Sequence, residues 1–274
     1  MSLFSKSNDI CGVCMVVTCL LLACSANPYR KTNKLYRKEA KAFSKELRKE
    51  PWADSLQAPA YWAGTTNFNL RKPNFVIIHH TAQDACDKTL ETFITPKTQV
   101  SAHYVICKDG TVHHMLNDYF RAWHGGAGKW GNLADVNSSS IGIEIDNNGF
   151  EEFTEAQINS LLRLLGKLKQ TYNIPTSNFI GHADIAPGRK VDPNRHFPWQ
   201  TLSQQGFGLW YDTTGIQVPE NFNALQAMRV VGYDVKDSLS AIYSFKLHFV
   251  QQDSSKILTE ADRKILFDLS RKYQ

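Results

Sequence analysis

Apolar and polar positions divide the chain into distinct stretches. Residues 12–23, GVCMVVTCLLLA, are apolar almost without interruption. That run is too short for an ordinary membrane-spanning helix and has the length of a signal h-region. Residues 30–50 mix charged groups with helix formers, the pattern of a solvated spacer that can helicalise in part; about 25 extended residues would reach about 80 Å. After Pro73, the apolar run Phe75-Val76-Ile77-Ile78 leads into His79-His80-Thr81, as in a buried strand that delivers side chains to a site at its end. Further strands are expected at Ala102–Cys107, Ser140–Ile145 and Asn178–His182. Between the last two, Thr154-x-x-Gln157 has capping-box form. Ile158, Leu161, Leu162, Leu165, Leu168 and Tyr172 then recur at helical spacing, predicting a helix with a core-facing stripe that ends before Pro175. Beyond Pro219 come three short helical patterns, Asn221–Val231, Asp237–Val250 and Thr259–Tyr273.

Interleaved strands and helices predict an α/β (α+β) fold, a central mixed β-sheet flanked by helices, with a small C-terminal three-helix domain. The expected organisation is a signal segment over 1–24, a charged linker over 25–54, a main domain over 55–216 and the helical domain over 217–274. The last, at about 60 residues, is marginal for independent stability and is expected to lean on the main domain.

Composition adds little, since 42% hydrophobic and 11% aromatic residues are ordinary for a globular protein. Charge adds more. Nine Lys/Arg against three Glu between Arg30 and Glu50 give that stretch +6, so the rest of this +5 chain is near −1. A nucleic-acid binder would spread cations over its folded face, and that class is excluded as a partner. Of six cysteines, Cys11 and Cys14 form a C-x-x-C inside the apolar segment, without a second pair. Cys86 and Cys107 fit either a disulfide or two buried thiols. Leu21-Leu22-Ala23-Cys24 resembles the bacterial lipobox, which makes Cys24 the candidate lipidated residue and mature N-terminus; a secretory signal cleaved elsewhere or an uncleaved anchor is the alternative. Ser25 after Cys24 fits sorting to the outer membrane of a Gram-negative cell, facing the periplasm.

His79, Glu144 and His182 each fall at an expected strand end, and Asp192 follows ten residues later in the loop HADIAPGRKVDP. Two imidazoles and one carboxylate leave a fourth tetrahedral position for water, the layout of a catalytic zinc site with one ion per chain. Glu144 is the candidate proton acceptor and Lys190 the candidate cation beside a developing oxyanion.

Taken in order, IIHHTA, SAHYVICKDGTVH, AWHGG, SSSIGIEI, GHADIAPGRKVDP and FPWQ resemble the zinc-dependent N-acetylmuramoyl-L-alanine amidases of the type-2 family, over about residues 55 to 215. The likeness is strongest to the lipid-anchored outer-membrane members. The resemblance implies His79, not His80, as the first ligand, with His182 and Asp192 as the others. It implies Glu144 and Lys190 as the catalytic pair and His124 as a substrate-groove residue. His80, His103, His113 and His114 are expected in structural or surface roles. The implied reaction is hydrolysis of the amide between N-acetylmuramic acid and L-alanine, in peptidoglycan or muropeptides, by a monomer held to the membrane through its N-terminal lipid. A non-catalytic peptidoglycan-recognition lipoprotein is the alternative. The C-terminal helices resemble a three-helix peptidoglycan-binding domain but lack its glycine-containing loop, so glycan binding and a purely structural bundle both stay open.

Overall fold

The computed structural model describes residues 27–49, 65–67 and 69–274, and the chain divides into two compact units after Gly64. Cys24 and the apolar run before it lie outside the described residues. In the first unit, helix α1 (Arg30–Glu46) takes up most of the charged stretch. Its 17 residues rise about 25 Å, far less than an extended spacer would reach. Among the described residues, no helix is long and apolar enough to cross a membrane.

The second unit is built on five strands: β1 (Phe75–His80), β2 (Tyr104–Ile106), β3 (Val112–His114), β4 (Ser140–Ile145) and β5 (Phe179–Gly181). They form one sheet in the order β3-β2-β4-β1-β5, with β2–β3 antiparallel and the other pairs parallel. Strand β3 and helix α2 (Cys86–Ile94) lie outside the elements expected from the sequence. A three-residue strand and a two-turn helix hold too few positions for a period to register. Cys86, the first residue of α2, is joined to Cys107, just past β2, with the Cα atoms 5.3 Å apart.

Alternation on β4 shows how the sheet works. Ile141, Ile143 and Ile145 point to one face with Val76 and Ile78, against Leu161, Leu164, Leu165 and Leu168 of α3 (Glu155–Tyr172). That helix starts at the expected capping box: the Thr154 side chain accepts from Gln157 N–H, and the Gln157 side chain accepts from Thr154 N–H. Ser140, Gly142 and Glu144 point to the opposite face, where the small residues leave room for other groups to lie.

Beyond α4 (His182–Ile185) and α5 (Trp199–Gln204), the chain lays its C-terminal helices α6 (Ala224–Val231), α7 (Ser238–Phe249) and α8 (Glu260–Lys272), capped by Asn223, Asp237 and Thr259, on that same opposite face. Met228, Val231, Phe245 and Leu266 belong to one apolar cluster with Ile77 of β1 and Ile180 of β5. The three helices therefore close no separate core. Gly232 shows how tight the join is, because a Cβ there would stand 2.2 Å from the Trp130 indole of the main domain. Gly131 N–H also donates to Gly232 O at 2.7 Å.

Candidate active site

Parallel register places the key residues side by side. On β1 and β4, His79 pairs with Glu144, and Ile78 pairs with Gly181 on β5, so the next residue, His182, flanks His79 on its other side. Neighbouring strands stand about 4.8 Å apart, which sets three adjacent strand ends within reach of one another on one face. His182 opens the short helix α4 (His182–Ile185). Asp192 arrives by a loop tied back through Ala183 N–H, which donates to Asp192 O at 2.7 Å.

The donor atoms converge. His79 Nδ1 lies 2.9 Å from His182 Nδ1 and 3.1 Å from Asp192 Oδ2, and His182 Nδ1 lies 3.0 Å from the same oxygen. All three residues are buried. Tetrahedral ligands about 2.0–2.1 Å from one zinc stand about 3.3 Å apart, close to these separations, so the donor set and its size fit that ion. A second cluster, Cys86, Cys107 and His113, offers no thiolate because its cysteines are bonded to each other.

Electrostatics suits the same role. Burial, and then His182 opposite, lowers the His79 pKa to about 4, which keeps its ring neutral and able to coordinate. Burial alone would raise the Asp192 carboxyl, but the two imidazoles beside it, His182 and His79, outweigh burial and hold the group well below the ordinary carboxylate range. Glu144 behaves oppositely: burial, then the nearby Asp192 charge, pushes it well above the carboxylate range, with Lys190 pulling the other way. Its Oε1 lies 3.9 Å from His79 Nδ1.

The site opens into a groove of about 370 Å³ floored by His79, His124 and Glu144 and edged by Trp123, Lys190 and Val191. Lys190 is half-buried there. His124, expected from the resemblance to meet substrate, borders the groove, yet both its ring nitrogens face protein atoms: Nδ1 is 3.0 Å from His79 Nε2, and Nε2 is 3.2 Å from Ser140 Oγ. His80 points to the other side of β1 and accepts from Asn194 N–H, and His103 accepts from Gly142 N–H. His114 is paired with Asp118 at 3.2 Å, half-exposed.

One buried group tied to this site has no signature in the local sequence. Asp184, 1% exposed, accepts from Gly181 N–H, the Tyr233 hydroxyl and His248 Nδ1, each at 2.7 Å. The last two partners belong to the C-terminal helical region. They pin the turn that presents His182 and satisfy a carboxylate that would otherwise be costly to bury. Partners 49 and 64 residues away leave no local signal.

Three clustered donors of the kind that can hold a metal ion, beside a carboxylate raised by burial, at strand ends of an α/β sheet, form an arrangement suited to hydrolysis. The family profile described as N-acetylmuramoyl-L-alanine amidase matches residues 69–195. The N-acetylmuramoyl-L-alanine amidase AmiD of Escherichia coli (strain K12) is 34% identical over 206 residues, 64% of this chain and 74% of AmiD. A solved complex of E. coli AmiD with the substrate anhydro-N-acetylmuramic acid-L-Ala-D-gamma-Glu-L-Lys matches with TM-score 0.68 and 29% identity, covering 77% of this chain and 93% of that one. AMPDH3 of Pseudomonas aeruginosa, solved with an anhydromuramic pentapeptide, gives TM-score 0.68 and 28% identity over 81% of this chain and 99% of that one. The chain belongs to the N-acetylmuramoyl-L-alanine amidase family, and its activity is hydrolysis of the amide between N-acetylmuramic acid and L-alanine.

Proposed function

We propose that this amidase uses one zinc ion, held by His79, His182 and Asp192, to release stem peptides from peptidoglycan or its muropeptide fragments. The supporting observation is the convergence of three donor atoms within 3.1 Å beside Glu144. A zinc ion there supplies Lewis acidity toward water and the scissile carbonyl. Glu144 Oε1 takes a proton from the attacking water as its oxygen bonds to the lactyl carbonyl carbon. Glu144 then returns that proton to the L-alanine nitrogen as the C–N bond breaks. Lys190, on the groove edge, offsets the charge that develops on the carbonyl oxygen. The products are a free muramic carboxyl and a stem peptide with a free L-alanine amine.

Defined muropeptides incubated with the enzyme are expected to yield both products by mass spectrometry. Activity should disappear with a chelator and return with zinc. Turnover that is indifferent to chelation would sink the metal reading, and binding without product would favour a recognition protein instead.

The proposed address is a lipoprotein of the outer membrane facing the periplasm, anchored at Cys24. The lipobox-like quartet supports it, and so does the Cys86–Cys107 disulfide, a bond that persists in oxidising compartments. Cys24→Ala is expected to abolish acylation and move the protein out of the outer-membrane fraction. Unchanged acylation and fractionation would count against this address.

A further inference from the structure

The loop that brings His124 to the site contacts both imidazoles from behind. His79 Nε2 lies 3.0 Å from His124 Nδ1, and His182 Nε2 lies 3.3 Å from the carbonyl oxygen of the next residue, Gly125. The backbone N–H groups of His124 and Gly125 both donate to Asn137 Oδ1, at 3.3 and 2.8 Å, which fixes the loop. The His124 ring lies across β4 at Gly142, where a Cβ would stand 2.4 Å from it, so that strand position must be glycine.

The direction of each hydrogen bond follows from the far end of this chain. Ser140 Oγ is 2.7 Å from Val136 O, and a carbonyl oxygen can only accept. The Ser140 hydrogen is therefore committed to Val136, and Ser140 Oγ accepts from His124 Nε2, 3.2 Å away. A neutral imidazole with its hydrogen on Nε2 has a lone pair on Nδ1. His124 Nδ1 thus accepts from His79 Nε2–H, and His79 is left with a bare Nδ1 directed at His182 and Asp192. The Gly125 carbonyl imposes the same tautomer on His182 in a single step.

We propose that His124, Ser140 and the Gly125 carbonyl form a positioning relay that sets the tautomer and ring orientation of His79 and His182, so that both present Nδ1 to one ion. The inference rests on the zinc reading for its purpose but not for its geometry. It makes His124 a positioning residue, since neither of its ring nitrogens is available to substrate.

The test uses the full chain in detergent. In the metal-free protein, long-range proton–nitrogen NMR correlations are expected to show His79 protonated at Nε2. Ser140→Ala and His124→Leu should erase that fixed tautomer and weaken zinc binding by about 10-fold or more in chelator competition. His124→Asn, whose Oδ1 can stand in for Nδ1 as acceptor, should retain most of the affinity. His79 protonated at Nδ1 in the wild type, or unchanged zinc affinity in both Ser140→Ala and His124→Leu, overturns the relay. If His124→Leu does not fold, Ser140→Ala, which removes one hydroxyl, decides the matter alone. A wild-type chain that binds no zinc, yet loses the His79 tautomer in Ser140→Ala, would overturn the zinc reading and uphold the relay.

Discussion

Glu144→Gln is expected to lower kcat by about 10²–10⁴-fold while zinc stays bound, because the substitution keeps the shape of the side chain and removes its ability to accept a proton. The reasoning starts from the position. Glu144 is the last groove-facing residue of β4, paired with His79 across the parallel register, with only 12% of its side chain exposed. Burial and the Asp192 charge raise its pKa well above the carboxylate range, which makes it a stronger base than an exposed glutamate and lets it release the proton again to the leaving amine. Lys190 acts in the opposite sense on the same group. A cation favours the ionised carboxylate, so Lys190→Met is expected to raise the Glu144 pKa and move the acid limb of kcat/KM to higher pH. The two variants are separated by zinc content and by the pH profile. Glu144→Gln with near-wild-type turnover would remove it as the proton carrier, and an acid limb that moves to lower pH in Lys190→Met would reverse the proposed sign.

The second large effect falls on Asp192. Asp192→Asn keeps the volume but removes the only formal negative charge among the three donors, and zinc affinity is expected to drop by more than the roughly 10–100-fold typical of an outer partner. Activity should fall in parallel and recover in part at high zinc concentration. The measurement is zinc competition with a chromophoric chelator, alongside turnover of a defined muropeptide. Unchanged zinc retention would mean that the carboxylate is not a ligand. Because Ala183 N–H is held by the Asp192 backbone carbonyl, not by its side chain, the loop itself is expected to survive the change.

Much of the site was readable because it lies on or beside regular elements. The apolar run of β1 ends at His79, and the expected β4 ends at Glu144 and Ile145, so both residues are placed by counting along a strand. The choice of His79 over His80 came from the resemblance to the amidase family, and period-two alternation agrees with it: successive residues face opposite sides, and only one side of this sheet carries His182 and Asp192. The AWHGG motif marks His124, but nothing in that motif joins it to Ser140. The available signal was the alternation Ser140, Gly142, Glu144 on one face of a strand whose other face is isoleucine throughout. Small residues in such a row mark space occupied by something else, here an imidazole.

The C-terminal helices show the other side of this. Their starts agreed with the sequence to within three residues, because Asn223, Asp237 and Thr259 are caps, and a cap is a local interaction. Their relation to the site was not legible. Tyr233 and His248 meet Asp184 only after the chain has folded across the sheet, and Gly232 is explained only by the Trp130 ring against it.

By itself the sequence marked the longer elements, the core-facing stripe of α3, and His79, His182, Asp192, Glu144 and Lys190 as candidates, since these follow from periodicity, capping and ordered motifs within short stretches. Tertiary structure alone decided that the three donors meet within 3.1 Å, which imidazole nitrogen each histidine presents, and that the C-terminal helices share the core beneath the site. The reason is physical. Local patterns encode interactions between near neighbours in the chain, whereas donor convergence and hydrogen-bond direction depend on strand register and on partners tens of residues away.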